Sequence, residues 1–210
     1  MQVDEVESVD VAGIWGSQLD ERPPRRAGGG GLGPRGWTLA VADVLAPCTT
    51  STHVPWAYHD YRPYGSQRTV HEVNGDDGLV RFAGLGADAA GRLLAALTED
   101  QLATRQRDSP TLGAVLRAAV VHPGVVEVHG YAVGPAREDE RITAEGVFLY
   151  ALPGLSVPGW PHDGPCDCTA LWEAARDGYG LRDALGMPQE LQRRTNRWRP
   201  GEHCWLLAWD

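Results

Sequence analysis

Residues 125–152 read V-V-E-V-H-G-Y-A-V-G-P-A-R-E-D-E-R-I-T-A-E-G-V-F-L-Y-A-L. Two runs rich in β-branched and aromatic residues, 125–133 and 142–151, flank a break. The break opens on Gly134-Pro135 and continues through Arg137, Glu138, Asp139, Glu140 and Arg141. Proline has no backbone N–H to give a ladder, so the first run must end there. Consecutive charges cannot be buried unpaired, so the whole connection is expected in water. The pattern predicts an antiparallel hairpin. Side chains alternate between faces along a strand. Val126 and Val128 therefore share one face, expected to be core. Glu127, His129 and Tyr131 share the other, expected to be either a solvated face or one wall of a cleft.

Upstream of the hairpin, helices alternate with further strand signals. Ser109 and Pro110 are placed to cap and begin a helix, because the missing proline N–H costs nothing in a first turn. Leu112, Val115, Leu116 and Ala119 follow at helical spacing, and His122-Pro123-Gly124 stops the run. Asp88 is the expected N-cap of an earlier helix, with Leu93, Leu94 and Leu97 on its buried face. Thr98 extends or restarts that helix. Asn74-Gly75 tolerates positive φ and predicts a turn between strands at 69–73 and 79–85. Residues 37–44, W-T-L-A-V-A-D-V, read as a strand ended by Pro47-Cys48. Residues 51–65 are dense in aromatic and imidazole rings, and their two prolines exclude a regular helix. Residues 21–36, E-R-P-P-R-R-A-G-G-G-G-L-G-P-R-G, read as a flexible loop, because four glycines in a row have much entropy to lose and nothing to pack. A phosphate-cradling loop would need a strand before it, a helix after it and Gly-Lys-Ser/Thr, none of which is offered. Residues 1–20 alternate valines with acids and read as a short strand or a tail.

Downstream, prolines at 153, 158, 161 and 165 make 153–168 a loop. Residues 169–176 form a short helix with Leu171, Trp172 and Ala175 inward, closed by Gly178. Pro188 opens what reads as another helix. The last run, H-C-W-L-L-A-W-D, alternates enough for a terminal strand. These elements predict an α+β fold, with residues 37–210 as a single domain. It would hold a mostly antiparallel sheet of about five to seven strands with helices packed on one face.

With 42% hydrophobic residues among 210, the chain has material for a core. Its net charge of −9 argues against general binding to nucleic acid or to an anionic membrane, both of which need a basic face. No apolar run is long enough to span a bilayer. The first ten residues are acidic, the wrong sign for a secretory signal, so a cytoplasmic protein is expected. The chain has no lysine; all 19 of its Lys and Arg side chains are arginine. Schiff-base chemistry, a phosphate-loop lysine and a lysine general base are thereby excluded. The abundance of Ala, Gly and Arg is the bias expected of a GC-rich genome, and an actinobacterial source is the expectation.

Four constellations carry possible chemistry. Glu127, His129 and Tyr131 are the acid/base candidates, since an imidazole beside a carboxylate titrates near neutrality. His53, Trp56, Tyr58 and His59 are the binding candidates of the aromatic loop. Arg194, Arg197, Trp198 and Arg199, with Arg193 beside them, form an arginine cluster in which planar guanidinium groups suit carboxylate or phosphate and stack on tryptophan. His162, Cys166, Cys168 and Cys204 are the metal candidates, with zinc the metal they suit. Their spacing departs from zinc knuckles, because one residue rather than two to four separates Cys166 from Cys168. Neither G-x-S-x-G nor H-E-x-x-H occurs.

No cofactor is expected. The first expectation is a binding or interaction domain with an unknown protein or small-molecule partner. The second is a small hydrolase-like enzyme using His and carboxylate, with the aromatic loop as the rim of its pocket. The third is a Cys/His zinc protein.

Overall fold

The computed structural model describes residues 10–12, 32–49, 79–135, 137, 139–152, 157, 166–196 and 198–209. Among these, β1 (Leu79–Leu85), β2 (Val126–Val133), β3 (Arg141–Leu149), β4 (Glu190–Thr195) and β5 (His203–Ala208) form an antiparallel sheet in the order β1-β2-β3-β5-β4. Helices α1 (Ala42–Leu45), α2 (Ala87–Ala96), α3 (Glu99–Leu102), α4 (Leu112–Val121) and α5 (Cys168–Gly178) accompany it, giving an α+β fold. No helix among the described residues is long and apolar enough to cross a membrane. Residues 50–78 lie outside the description, and with them the Asn74-Gly75 turn and the aromatic loop. Residues 13–31, most of the glycine-rich stretch, do so too. The described chain divides into two compact units, one within Met1–Ala83 and Tyr131–Ile142, the other within Gly84–Gly130 and Thr143–Asp210.

The expected hairpin is β2 and β3. Every residue of β2 is buried, the polar ones included: Glu127 is 9%, His129 2% and Tyr131 7% exposed. This face is therefore not a solvated one, because each polar side chain has a specific cover.

In the first unit, Tyr131 lies against two guanidinium groups, those of Arg81 and Arg141, 5.8 and 5.3 Å from its ring centre. Arg137 and Arg141 pair with Asp139 at the surface. Glu140 departs from the expectation that the whole connection lies in water. It is 6% exposed and accepts from Gly36 N (2.8 Å), Thr38 N (2.9 Å) and Thr38 Oγ1 (2.6 Å). A carboxylate with three donors tolerates burial. Arg35 Nε donates to Pro135 O at 2.9 Å nearby.

Residues 37–44 were expected to be a strand, and they are helical. A 3-10 turn at Trp37–Val41 runs into α1, and a second at Ala46–Cys48 ends it. The buried residues Thr38, Val41, Ala42 and Leu45 recur at i, i+3, i+4 and i+7, a helical period that outweighs the β-branched composition. Thr49 then bridges Phe82 of β1.

In the second unit, α2 packs on α4. Asp88 sits in the first turn of α2 rather than at its cap, which is Gly86; there it still favours the positive end of the helix. Thr98 restarts the chain as α3 through a capping box with Gln101. The cap of α4 is Thr111, not Ser109: Thr111 Oγ1 accepts from Ala114 N, while Ser109 Oγ accepts from Gln106 N and closes the preceding turn. Helix α5 buries Cys168, Leu171, Trp172 and Ala175, one stripe of its surface.

The stretch after Pro188 was expected to start a helix and is β4. It pairs with β5 from Glu190↔Ala208 to Thr195↔His203, and that pairing overrides local preference. Strand β5 also pairs with β3, Val147↔Leu207 and Phe148↔Leu206. Residues facing each other across a ladder share a sheet face. Leu191, Leu207 and Val147 thus form an apolar row on one face. Gln192, Leu206 and Phe148 lie on the other, with Arg194 opposite Cys204.

Candidate functional site

Several polar side chains of the second unit gather around Glu127, which is itself buried. Its Oε2 accepts from Trp198 Nε1 at 2.7 Å and from the Tyr150 hydroxyl at 2.9 Å. Arg199 faces its Oε1 at 3.5 Å. The same guanidinium lies 3.8 Å from the centre of the Tyr150 ring, donates to Gly124 O at 2.8 Å and pairs with Glu202 at 2.7 Å. Asn196 Nδ2 donates to the Tyr150 oxygen at 2.8 Å and to Cys204 Sγ at 3.3 Å. The Cys204 thiol in turn donates to Arg194 O.

Asn196, Trp198, Arg199 and Glu202 come from one short connection between β4 and β5. The connection is folded by Arg199 N→Asn196 O and Glu202 N→Arg199 O, both 3.2 Å, and Gly201 takes the positive φ of 85° that its turn requires. Gly84 makes room for the Trp198 indole. Its φ is 70°, and a Cβ there would stand 2.8 Å from Trp198 Nε1. The indole packs edge-on to Phe148 (5.5 Å), and Phe148 lies tilted against the His129 ring (5.0 Å).

Burial raises the Tyr150 hydroxyl well above its ordinary range, and the charge of Glu127 adds to the rise. Burial also pushes the Cys204 thiol up to about 11, again with Glu127 contributing. Both groups hold their protons at neutral pH. Tyr150 is therefore a donor to Glu127, and Cys204 is not a thiolate nucleophile. Glu127 is held by two donors on Oε2 and by the Arg199 charge beside Oε1, an arrangement that fixes the carboxylate in place.

The site joins one acid/base candidate, Glu127, to two binding candidates, Trp198 and Arg199. His129 is two rings further along, while Tyr131 belongs to the first unit. Arg194 is half-buried and paired with Glu190 at 3.2 Å. His53, Trp56, Tyr58, His59, Arg197 and His162 lie outside the described residues. Of the metal candidates, Cys166 and Cys168 stand at the start of α5, and Cys204 belongs to the Glu127 network. Among the described residues, no three or more His, Cys, Asp and Glu side chains gather as metal ligands.

Sequence reasoning missed Tyr150 and Asn196. Asn196 carried one signal: it is one of only two asparagines in the chain. Comparisons with protein-family models, with curated proteins and with solved structures find no match.

Proposed function

We propose that this protein is a binding domain without catalysis of its own, engaging a protein partner through the loop at 184–187. The observation that carries the reading is an exposed apolar pair on a loop held from behind. Leu185 is 71% and Met187 39% exposed. Leu185 N and Gly186 N donate to Asp108 O at 2.9 and 3.2 Å, and Trp209 Nε1 donates to Gly186 O at 3.1 Å. Arg105 Nη1 holds Asp183 O at 2.8 Å just before. A loop already fixed loses little conformational entropy when it docks. Leucine and methionine fill apolar pockets, and methionine adapts to irregular ones. The engagement of Glu127 by internal donors supports the absence of catalysis.

The test compares the wild type with a Leu185→Asp/Met187→Asp variant, both immobilised and exposed to an extract of the cells that make the protein. Both positions face solvent, so the variant is expected to keep the wild-type circular dichroism and melting temperature. A protein retained by the wild type is expected to be lost at least about ten-fold by the variant. Equal retention by both removes the loop from the reading. Turnover of an ester, amide or phosphate substrate that Glu127→Gln abolishes, with the fold intact, removes the claim of no catalysis.

A further inference from the structure

Cys166, Asp167 and Cys168 lie where the chain enters α5. Cys166 is exposed, Cys168 is 5% exposed, and the two thiol groups hydrogen-bond each other. Asp167 sits at φ −90° and ψ 20°, in the bridge region beside the helical one. A middle residue bent in this way holds its two neighbours' Cα atoms about 5.5 Å apart, inside the span that a disulfide bridges. The Glu127 network uses neither sulfur.

We propose that Cys166 and Cys168 are a redox-active dithiol that closes to an intrachain disulfide at the expense of a small-molecule disulfide such as glutathione disulfide. Cys166, the solvent-facing thiol, loses its proton to water and attacks one sulfur of the oxidant. The oxidant S–S bond breaks, one glutathione thiolate leaves, and a mixed disulfide forms on Cys166. Cys168 then gives up its proton, and its sulfur attacks Cys166 Sγ and expels the second glutathione thiolate. Two protein thiols and one glutathione disulfide become one protein disulfide and two glutathione thiols, with two electrons passing to glutathione.

Access sets the order of attack. Burial, and the hydrogen bond with Cys166, push the Cys168 thiol up to about 11, so it reacts poorly with reagents in solution and best with the sulfur beside it. A ring closed over one intervening residue is strained and returns readily to the dithiol.

Trypsin cuts after arginine, and residues 142–176 form one peptide that contains Cys166 and Cys168 but neither Cys48 nor Cys204. The full chain is equilibrated with glutathione disulfide, alkylated, digested and weighed. The expected peptide is lighter than the dithiol form by two hydrogens and carries no alkyl group. Excess reduced glutathione is expected to return it to the doubly alkylated form. Cys166→Ser, at an exposed position, is expected to keep the fold and leave Cys168 as a free thiol. Three results overturn the proposal: a lasting glutathione adduct on Cys166 with Cys168 still alkylated, both thiols alkylated after oxidation, or a disulfide to Cys48 or Cys204.

Discussion

Removing Glu127 would strand the Trp198 N–H, the Tyr150 hydroxyl and the Arg199 guanidinium together, each at least partly withdrawn from water. A buried donor left without its acceptor costs about 1–3 kcal/mol, and an ion of a half-buried pair left alone costs more than an exposed one. Glu127→Ala is therefore expected to lose about 3 kcal/mol in urea unfolding with an unchanged m-value, and Glu127→Gln about 1–2 kcal/mol, since an oxygen acceptor remains. A loss below about 0.5 kcal/mol for the alanine variant would mean the network is not holding the β4–β5 connection in place.

The same network sets a pH dependence. The folded Cys204 thiol sits near 11, above its ordinary value of 9.0, so the folded state keeps a proton that the unfolded chain gives up first. Its contribution is complete below pH 9 and is lost as the pH rises through 11; Tyr150 shifts in the same direction. Stability is expected to fall across this window by on the order of 2 kcal/mol, and more shallowly in Cys204→Ala. Equal slopes for the two proteins would show that this thiol is not the group responsible. Glu127, Trp198 and Arg199 were each legible as chemically capable residues. Their meeting was not, because it depends on how a connection some seventy residues away folds back on β2, and no local pattern encodes that closure.

Two glycines in the central strands are fixed by what lies against them. A Cβ on Gly130 would run into the Thr143 carbonyl and approach Ala144 Cα to 2.9 Å; one on Gly146 would run into the Leu207 carbonyl and the His129 ring. Backbone cannot yield as a flexible side chain can, so Gly130→Ala and Gly146→Ala are each expected to cost about 3 kcal/mol or more, or to leave the protein insoluble. Gly178→Ala, where the added methyl meets nothing within 4 Å, serves as the control and is expected to change stability by less than about 0.5 kcal/mol. Paired melts of the three variants decide the matter.

At this scale the sequence was readable wherever period and punctuation agreed. The hairpin of β2 and β3, the stripe of α5 and the terminal strand β5 all follow from such agreement. It failed where composition and period disagreed. Residues 37–44 have the β-branched and aromatic content of a strand but bury residues at helical spacing. In β4, helix-forming Glu, Leu, Gln and Arg are held extended by the ladder to β5.

Among the described strands, sheet order and chain order diverge at one place: β5 is not an edge. Strand β5 lies between β3 and β4, so β4 reaches the sheet only through it. Trp209, immediately after, is wholly buried; its backbone N donates to Glu145 O at 2.8 Å, its indole holds the 184–187 loop, and its ring meets Trp172 edge-on at 5.5 Å. Folding of the second unit therefore depends on β5 and Trp209. A chain ending at Glu202 would leave one side of β3 without its ladder and β4 without any described partner, exposing the apolar row of Leu191 and Val147. An unpaired strand edge with exposed apolar residues is a template for aggregation. The truncated protein is expected to lose its near-ultraviolet tryptophan dichroism and cooperative melting, and to aggregate. The milder Trp209→Phe, which keeps an aromatic ring but removes the N–H to Gly186, is expected to fold and to lose about 1–3 kcal/mol. It is also expected to loosen the 184–187 loop, read as faster amide hydrogen exchange at Leu185 and Gly186 while β2 exchanges as in the wild type. Unchanged exchange at these two amides would show that Asp108 alone fixes the loop.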